Sequence, residues 1–394
     1  MSFRPSDRVE EIEPFYVMEL LARARELERE GRTIVHMEVG EPDFDTPESI
    51  VRAGVEALNK GHHHYTPALG LTELREKIAD HYNSTYGKKV LAEQIVVTPG
   101  SSGALQLLIA LLVNPGDEVL MADPGYPCNR HFVRIFEGVT VSVPVDATTR
   151  FQLTAELVGK YWSEKSRVVM ISSPSNPTGS VIAANELKKI ALLVEERGGV
   201  LIVDEIYQGL IYDGSRDTAI DLPGTVFVVN SFSKYYGMTG WRLGWLVSLN
   251  MEAVSGLDRL SQNLFLAPPT PSQYAALVAF EPETERVLQE RCDRFRRRRD
   301  FLYAALLELG LKIDRVPDGA FYLYADCSDL SSDSSQFAAD LLEQAGVAVT
   351  PGKDFTVRDP RRWIRFAYTT SLDQLQLGVE RIRSFLSTQG GMGR

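Results

Sequence analysis

Cysteine is scarce. The 394-residue chain has three, Cys128, Cys292 and Cys327, far apart and without a Cys-x-x-Cys pair. That spacing excludes a disulfide framework or a cysteine zinc site, and a reducing compartment is expected. Long apolar runs are missing as well. The longest, ALQLLIALLV at 104–113, falls short of the roughly 20 residues that a membrane helix needs. Basic charge is in deficit: 42 Lys and Arg stand against 53 Asp and Glu, a net −11. Such a surface repels a phosphate backbone, so nucleic acid is not an expected partner. The opening MSFRPSDRVEEIEPF lacks the apolar core of a signal peptide. A soluble cytoplasmic protein, with neither membrane nor nucleic acid as partner, is the expectation. Histidine is sparse, and His62, His63 and His64 adjoin one another. Neighbouring side chains point apart, so they read as a loop, and no metal is expected.

What is present is a sizeable core. Hydrophobic residues make up 44% and charged residues 24%, an ordinary balance for two or three globular domains. Short apolar runs recur at 94–98, 117–122, 139–145, 167–172, 199–204, 225–230 and 244–248. Several are apolar at consecutive positions, which suits strands covered on both faces. Helical patterns such as GALQLLIALLV and ANELKKIALLVEER separate most of them, so the fold class is α/β with a mainly parallel sheet. FYVMELLARARELEREG predicts an N-terminal helix stopped by Gly31. After the prolines near 268, a long charged helix and the strand-like GAFYLYAD and RRWIRFAYTT predict a smaller α+β domain. The run Arg296 to Arg299 reads as a solvated helix face.

Ligands of parallel sheets bind beyond the carboxyl ends of the strands. Gly100, Ser101, Ser102 and Gly103 follow the first run and open a helix, where free N–H groups favour a phosphate. Tyr126 follows the second, on a proline-bracketed turn. Asn176 follows the fourth, between prolines. Asp204 ends the fifth, a costly place for an unpaired carboxylate, with Tyr207 three residues on. Ser231, Ser233 and Lys234 follow the sixth, with Arg242 beyond. Taken singly, these are a helix cap, a packed ring, a turn and a loop lysine. Their coincidence at successive strand ends is the set that a phosphorylated aromatic aldehyde needs.

In the motifs GEPDFDTP, YTPALGLTELR, VVTPGSSGAL, SNPTG, VDEIY, SFSK with GMTGWRLGW, and RFAYTTS, spread in order over nearly the whole chain, the protein resembles the class I/II pyridoxal-phosphate-dependent aminotransferases of fold type I. The resemblance implies an arm at 1–32, a large domain at 45–285 and a small domain made of 33–44 and 286–394. It implies pyridoxal 5′-phosphate attached to Lys234, which also serves as the base. Asp204 would pair with the ring nitrogen, Asn176 and Tyr207 with the ring oxygen, and Tyr126 would stack on the ring. Ser101 to Gly103, Ser231 and Arg242 would take the phosphate, while Ser233 either helps or faces the core. Arg365 would bind the substrate carboxylate in a fork, or else form a salt bridge in the small domain, and Gly40 would pass close by. Tyr65 would reach the phosphate of a partner subunit, which makes a homodimer with shared active sites. The implied reaction moves an amino group between an L-amino acid and a 2-oxo acid. A carbon–sulfur lyase using the same site is the alternative. Phe15, Tyr16 and Met18 of the arm either line the side-chain pocket or staple the arm to its partner.

Overall fold

The computed structural model describes residues 3–214 and 216–390. All seven expected runs are strands, and together they form one sheet: β2 (Ile95–Thr98), β3 (Glu118–Asp123), β4 (Val139–Pro144), β5 (Ser166–Ser172), β6 (Val200–Asp204), β7 (Thr225–Ser231) and β8 (Gly244–Ser248). The order is β2-β8-β7-β6-β5-β3-β4. Pairing is parallel from β7 through to β4, while β8 runs antiparallel to both of its neighbours, β2 and β7.

The consecutive apolar residues now have their cause. Along a strand, successive side chains face opposite sides. Val169, Ile171, Leu201, Val203 and Val228 enter one core, and Val168, Met170, Ile202 and Phe227 enter another on the far face. Each fully buried aliphatic side chain contributes about 1.5–3 kcal/mol. A strand that fills two cores therefore has no room for a polar alternate. The helix Gly100–Leu112 covers the second face with Leu105, Leu107, Leu108 and Ile109, all buried.

The first short strand, β1 (Val35–His36), pairs in parallel with β10 (Val347–Ala348), so residues just after the N-terminal helix join the C-terminal part of the chain. A separate antiparallel sheet, in the order β11-β12-β9, is built from β9 (Tyr322–Asp326), β11 (Thr350–Pro351) and β12 (Trp363–Ala367). The arm helix spans Tyr16–Arg29, and Gly31 follows at φ +90, a left-handed conformation that stops a helix.

The long helix Pro282–Glu308 corrects one expectation. Its arginine run is not a uniformly solvated face: Arg298 and Arg299 are buried. Arg298 grips both oxygens of Asp43 at 2.7 and 2.8 Å, and Arg299 donates to Asp213 at 2.6 Å and to the Pro317 carbonyl at 2.8 Å. A buried guanidinium is stable only with such partners, and the Arg298–Asp43 pair ties the long helix to the loop after Gly40.

Candidate active site

Strand direction assembles the site. The parallel strands β3, β5, β6 and β7 end on one edge of the sheet. Because β8 alone is reversed, β2 also ends there and β8 begins there. Thr98 pairs with Gly244, Gly244 with Ser231, and Ser172 with Asp204, side by side along that edge. A cavity of about 380 Å³ opens above it. Gly40, Ser101, Ser102, Tyr126, Asn176, Asp204, Tyr207, Lys234, Arg242 and Arg365 all line it, although they come from segments far apart in the chain.

At one end lies the start of the helix Gly100–Leu112. Gly100 sits at φ +73, and a Cβ there would lie 2.8 Å from Arg242 Nη2. A Cβ on Gly244 would lie 2.7 Å from the Ser101 nitrogen, so only glycine lets β8 pass under the helix start. Arg242 holds a left-handed φ of +52, a strain of about 1–3 kcal/mol for a side chain of this kind. Its one hydrogen bond among the described residues runs from Nη1 to the Thr239 carbonyl at 2.9 Å. A guanidinium beside the positive end of a helix is unfavourable until an anion joins them. That donor set fits a phosphate.

In the middle, Lys234 Nζ donates to the Gly40 carbonyl at 2.7 Å. Burial pushes its amine down to about 8; nearby Arg365 and Arg242 act the same way, while Glu41 and Asp204 oppose. Burial pushes Asp204 up to about 7, against the Ile206 N–H, which it accepts at 3.1 Å, and the positive Lys234. A cationic ring nitrogen against Asp204 would offset that desolvation. Tyr207 lies 2.9 Å, hydroxyl to hydroxyl, from Tyr322, and burial holds its proton on well above the ordinary phenol range.

At the other end, Arg365 is only 2% exposed. Nη1 donates to Asn176 Oδ1 at 2.9 Å, and Nη2 to the Glu38 carbonyl and to Thr350 Oγ1. Nε has no partner. The guanidinium packs over the rings of Tyr322 and Phe355, 4.4 and 4.6 Å from their centroids. All its acceptors are neutral. The acids of the small domain go elsewhere, Asp326 to Arg362 and Asp333 to Arg361, so the salt-bridge alternative for Arg365 does not hold among the described residues. Asn176, accepting with its oxygen, keeps its amide protons for a ligand. A Cβ on Gly40 would fall 1.9 Å from the Tyr322 hydroxyl, so no side chain fits there.

Some expected residues stand elsewhere. Ser231 is fully buried. Its hydroxyl lies 3.1 Å from the Leu243 carbonyl and 3.0 Å from Ser233 Oγ, and it accepts the Ser233 N–H at 3.0 Å. Its polar capacity is spent inside the protein, and Ser233 lines the cavity in its place. Gly103 is one turn into the helix and does not line the cavity; a Cβ there would meet Pro99 Cδ at 3.0 Å. Tyr65 is 82% exposed and away from the cavity of its own chain. Phe15 and Met18 line the cavity, but Tyr16 turns away, its ring under Lys353 Nζ. Tyr322 was missed because a strand tyrosine carries no local sign of function; only the β9–β12 pairing brings its ring against Arg365.

The sequence profile of aminotransferase class I and II matches residues 32–382. The chain belongs to the class I and II aminotransferase family. This aminotransferase is 38% identical to a (5-formylfuran-3-yl)methyl phosphate transaminase of Methanocaldococcus jannaschii, over 97% of this chain and 99% of the relative. It is also 38% identical to a valine–pyruvate aminotransferase of Mycobacterium tuberculosis, over 96% and 97%. The solved structure of an aminotransferase from Mycobacterium tuberculosis superposes with a TM-score of 0.93 at 38% identity, covering 98% of this chain and all of that one. Members of the family generally depend on pyridoxal 5′-phosphate, and the aminotransferase presents donors for each end of that molecule.

Proposed function

We propose that this aminotransferase exchanges an amino group between an L-amino acid and a 2-oxo acid, with pyridoxal 5′-phosphate held in the cavity above the carboxyl edge of the sheet. The observation that carries the reading is Arg365, a buried guanidinium whose acceptors are all neutral, opening into the same cavity as Lys234 and Asp204. Bound there, the cofactor supplies a ring that withdraws electrons from the substrate Cα. The residues do the rest. Arg365 orients the substrate carboxylate through a two-point fork that a lysine cannot copy. Lys234, neutral in part at physiological pH because of its lowered pKa, takes the proton from Cα. Asp204 keeps the ring nitrogen protonated. Asn176 and Tyr207 donate to the ring oxygen, and Tyr126 covers the ring face. The N–H groups at Ser101 and Ser102, Arg242 and the Ser233 hydroxyl hold the phosphate.

The reading brings three further proposals. The chain divides into a large domain at 45–285 and a small one made of 33–44 and 286–394, which the β1–β10 pairing supports. Two copies associate, and Tyr65, exposed on its own chain, reaches the partner's phosphate. The working place is the cytoplasm, in keeping with the free cysteines.

A single-turnover experiment tests the reaction. Adding an amino acid to the loaded protein should convert the cofactor band to that of its amine form, and a 2-oxo acid should restore it. Release of ammonia with no amine form would show elimination instead, as in a carbon–sulfur lyase.

A further inference from the structure

We propose that His36, outside the cavity, is a positioning residue for Arg365: held between Glu28 and Glu38, it fixes the peptide whose carbonyl sets the guanidinium. The inference rests on the reading of Arg365 as the group that binds the substrate carboxylate, and deepens it.

A chain of contacts runs from the arm to the cavity. His36 Nδ1 lies 2.7 Å from Glu38 Oε1, and Nε2 lies 3.1 Å from Glu28 Oε1, in the last turn of the arm helix. Only a doubly protonated ring donates to both carboxylates. Glu38 is fully buried. Burying a carboxylate is costly unless a cation meets it, and His36 meets this one. The Glu38 carbonyl accepts from Arg365 Nη2, and from Thr350 Oγ1 at 3.0 Å. One residue thus joins the two: its side chain rests on His36 and its carbonyl on Arg365. Glu38 and Arg365 are 0% and 2% exposed within a single chain, so a partner subunit reaches neither end of that link.

Strand geometry puts His36 on the arm side. Val35 and Met37 pack on Gly378 of the helix Leu372–Gly390, where a Cβ would lie 3.1 Å from Val35 Cγ1. Alternation turns His36 the other way, toward the arm helix. Strand β10 brings only Val347 and Ala348 beside it. The charged groups that face His36 among the described residues are therefore Glu28 and Glu38. The hydrogen bond to Glu38 lifts the imidazole pKa to about 9, against the partial burial of the ring. The backbone on either side is held independently: the Met37 carbonyl accepts the Ala367 N–H at 2.7 Å, and the Val39 carbonyl accepts Thr369 Oγ1 at 3.0 Å. Losing the His36 charge thus leaves the path of the chain in place and frees the Glu38 peptide between those two anchors. The carbonyl then turns, and the fork of Arg365 turns with it. Carboxylate binding suffers, while proton transfer at Lys234 does not.

The test is His36→Gln, which keeps a donor and removes the charge. In calorimetric titrations of the loaded protein near neutral pH, unreactive 4-methylpentanoate should bind about ten-fold more weakly to this variant, the scale of a lost charge-assisted hydrogen bond. KM should rise alike, with kcat at saturation unchanged. In the wild type, His36 is charged below about 9 and neutral above, so affinity for 4-methylpentanoate should fall as pH rises through that value. His36→Gln should lack that fall. Lys234 and the cofactor titrate in both proteins, so the difference between the two curves is the reading. Glu38→Gln makes the buried group neutral and should lose the same pH dependence, which keeps the test open if His36→Gln folds poorly. A merely structural ion pair would lower the melting temperature of His36→Gln and leave its affinity and pH curve as in the wild type; that result would overturn the proposal. Weaker binding in Arg365→Lys but not in His36→Gln would keep the reading of Arg365 and remove His36. Wild-type affinity in Arg365→Lys would overturn the reading of Arg365, and this inference with it.

Discussion

At the scale of single residues, protonation decides the chemistry. Lys234 is held near 8 mainly by burial. Its amine can attack an aldehyde only when neutral. Covalent uptake of pyridoxal phosphate by the apoprotein should therefore rise about ten-fold per pH unit below 8 and level off above it. Borohydride trapping followed by peptide mapping checks this; a label on another lysine would remove Lys234 from its role. Lys234→Ala should abolish turnover while leaving the fold intact, since the one hydrogen bond the side chain makes among the described residues is to the Gly40 carbonyl and its burial opposes the charged amine. Arg365→Lys keeps the charge and loses the fork. A charge-assisted pair is worth about 1.5–3 kcal/mol, so the substrate requirement should rise on the order of ten- to a hundred-fold. Steady-state kinetics would show it as KM, and an unchanged KM for every substrate would place the carboxylate elsewhere.

At the scale of elements, the reversed strand β8 is what closes the end of the cavity at which we propose the phosphate. It starts at Gly244, directly under the start of the helix Gly100–Leu112, and its approach leaves no room for a methyl group. Gly244→Ala should push the helix start away from Arg242. Overpacking of this kind costs about 1–3 kcal/mol. We expect a lower melting temperature together with weaker binding of inorganic phosphate to the apoprotein, whereas Gly87→Ala, at a helix end with open space around it, should leave phosphate binding alone. Equal phosphate binding in wild type and Gly244→Ala would separate this helix from the phosphate site.

At the scale of the whole molecule, the prediction concerns two copies. If each site joins Lys234 of one chain to Tyr65 of the other, a mixed dimer of Lys234→Ala with a bulky Tyr65 variant has one site with both defects and one with neither. Unfolding and refolding the mixture should then restore part of the activity. If mass confirms exchange yet activity stays at the sum of the parents, Tyr65 acts within its own chain or not at all.

The sequence by itself determined the seven strands of the large sheet and the residues at their ends. Two-sided burial requires consecutive apolar residues, and a polar group ending such a run is conspicuous. Only the tertiary structure sets Ser231 apart from Ser233: the Ser231 hydroxyl meets the Leu243 carbonyl, twelve residues on, while Ser233 lines the cavity. It also decided that Arg365 meets neutral acceptors in place of an acid, that Tyr322 lies against it, and that two arginines of a charged run are buried. Each of these is a matter of which distant group stands opposite, and no local pattern encodes that.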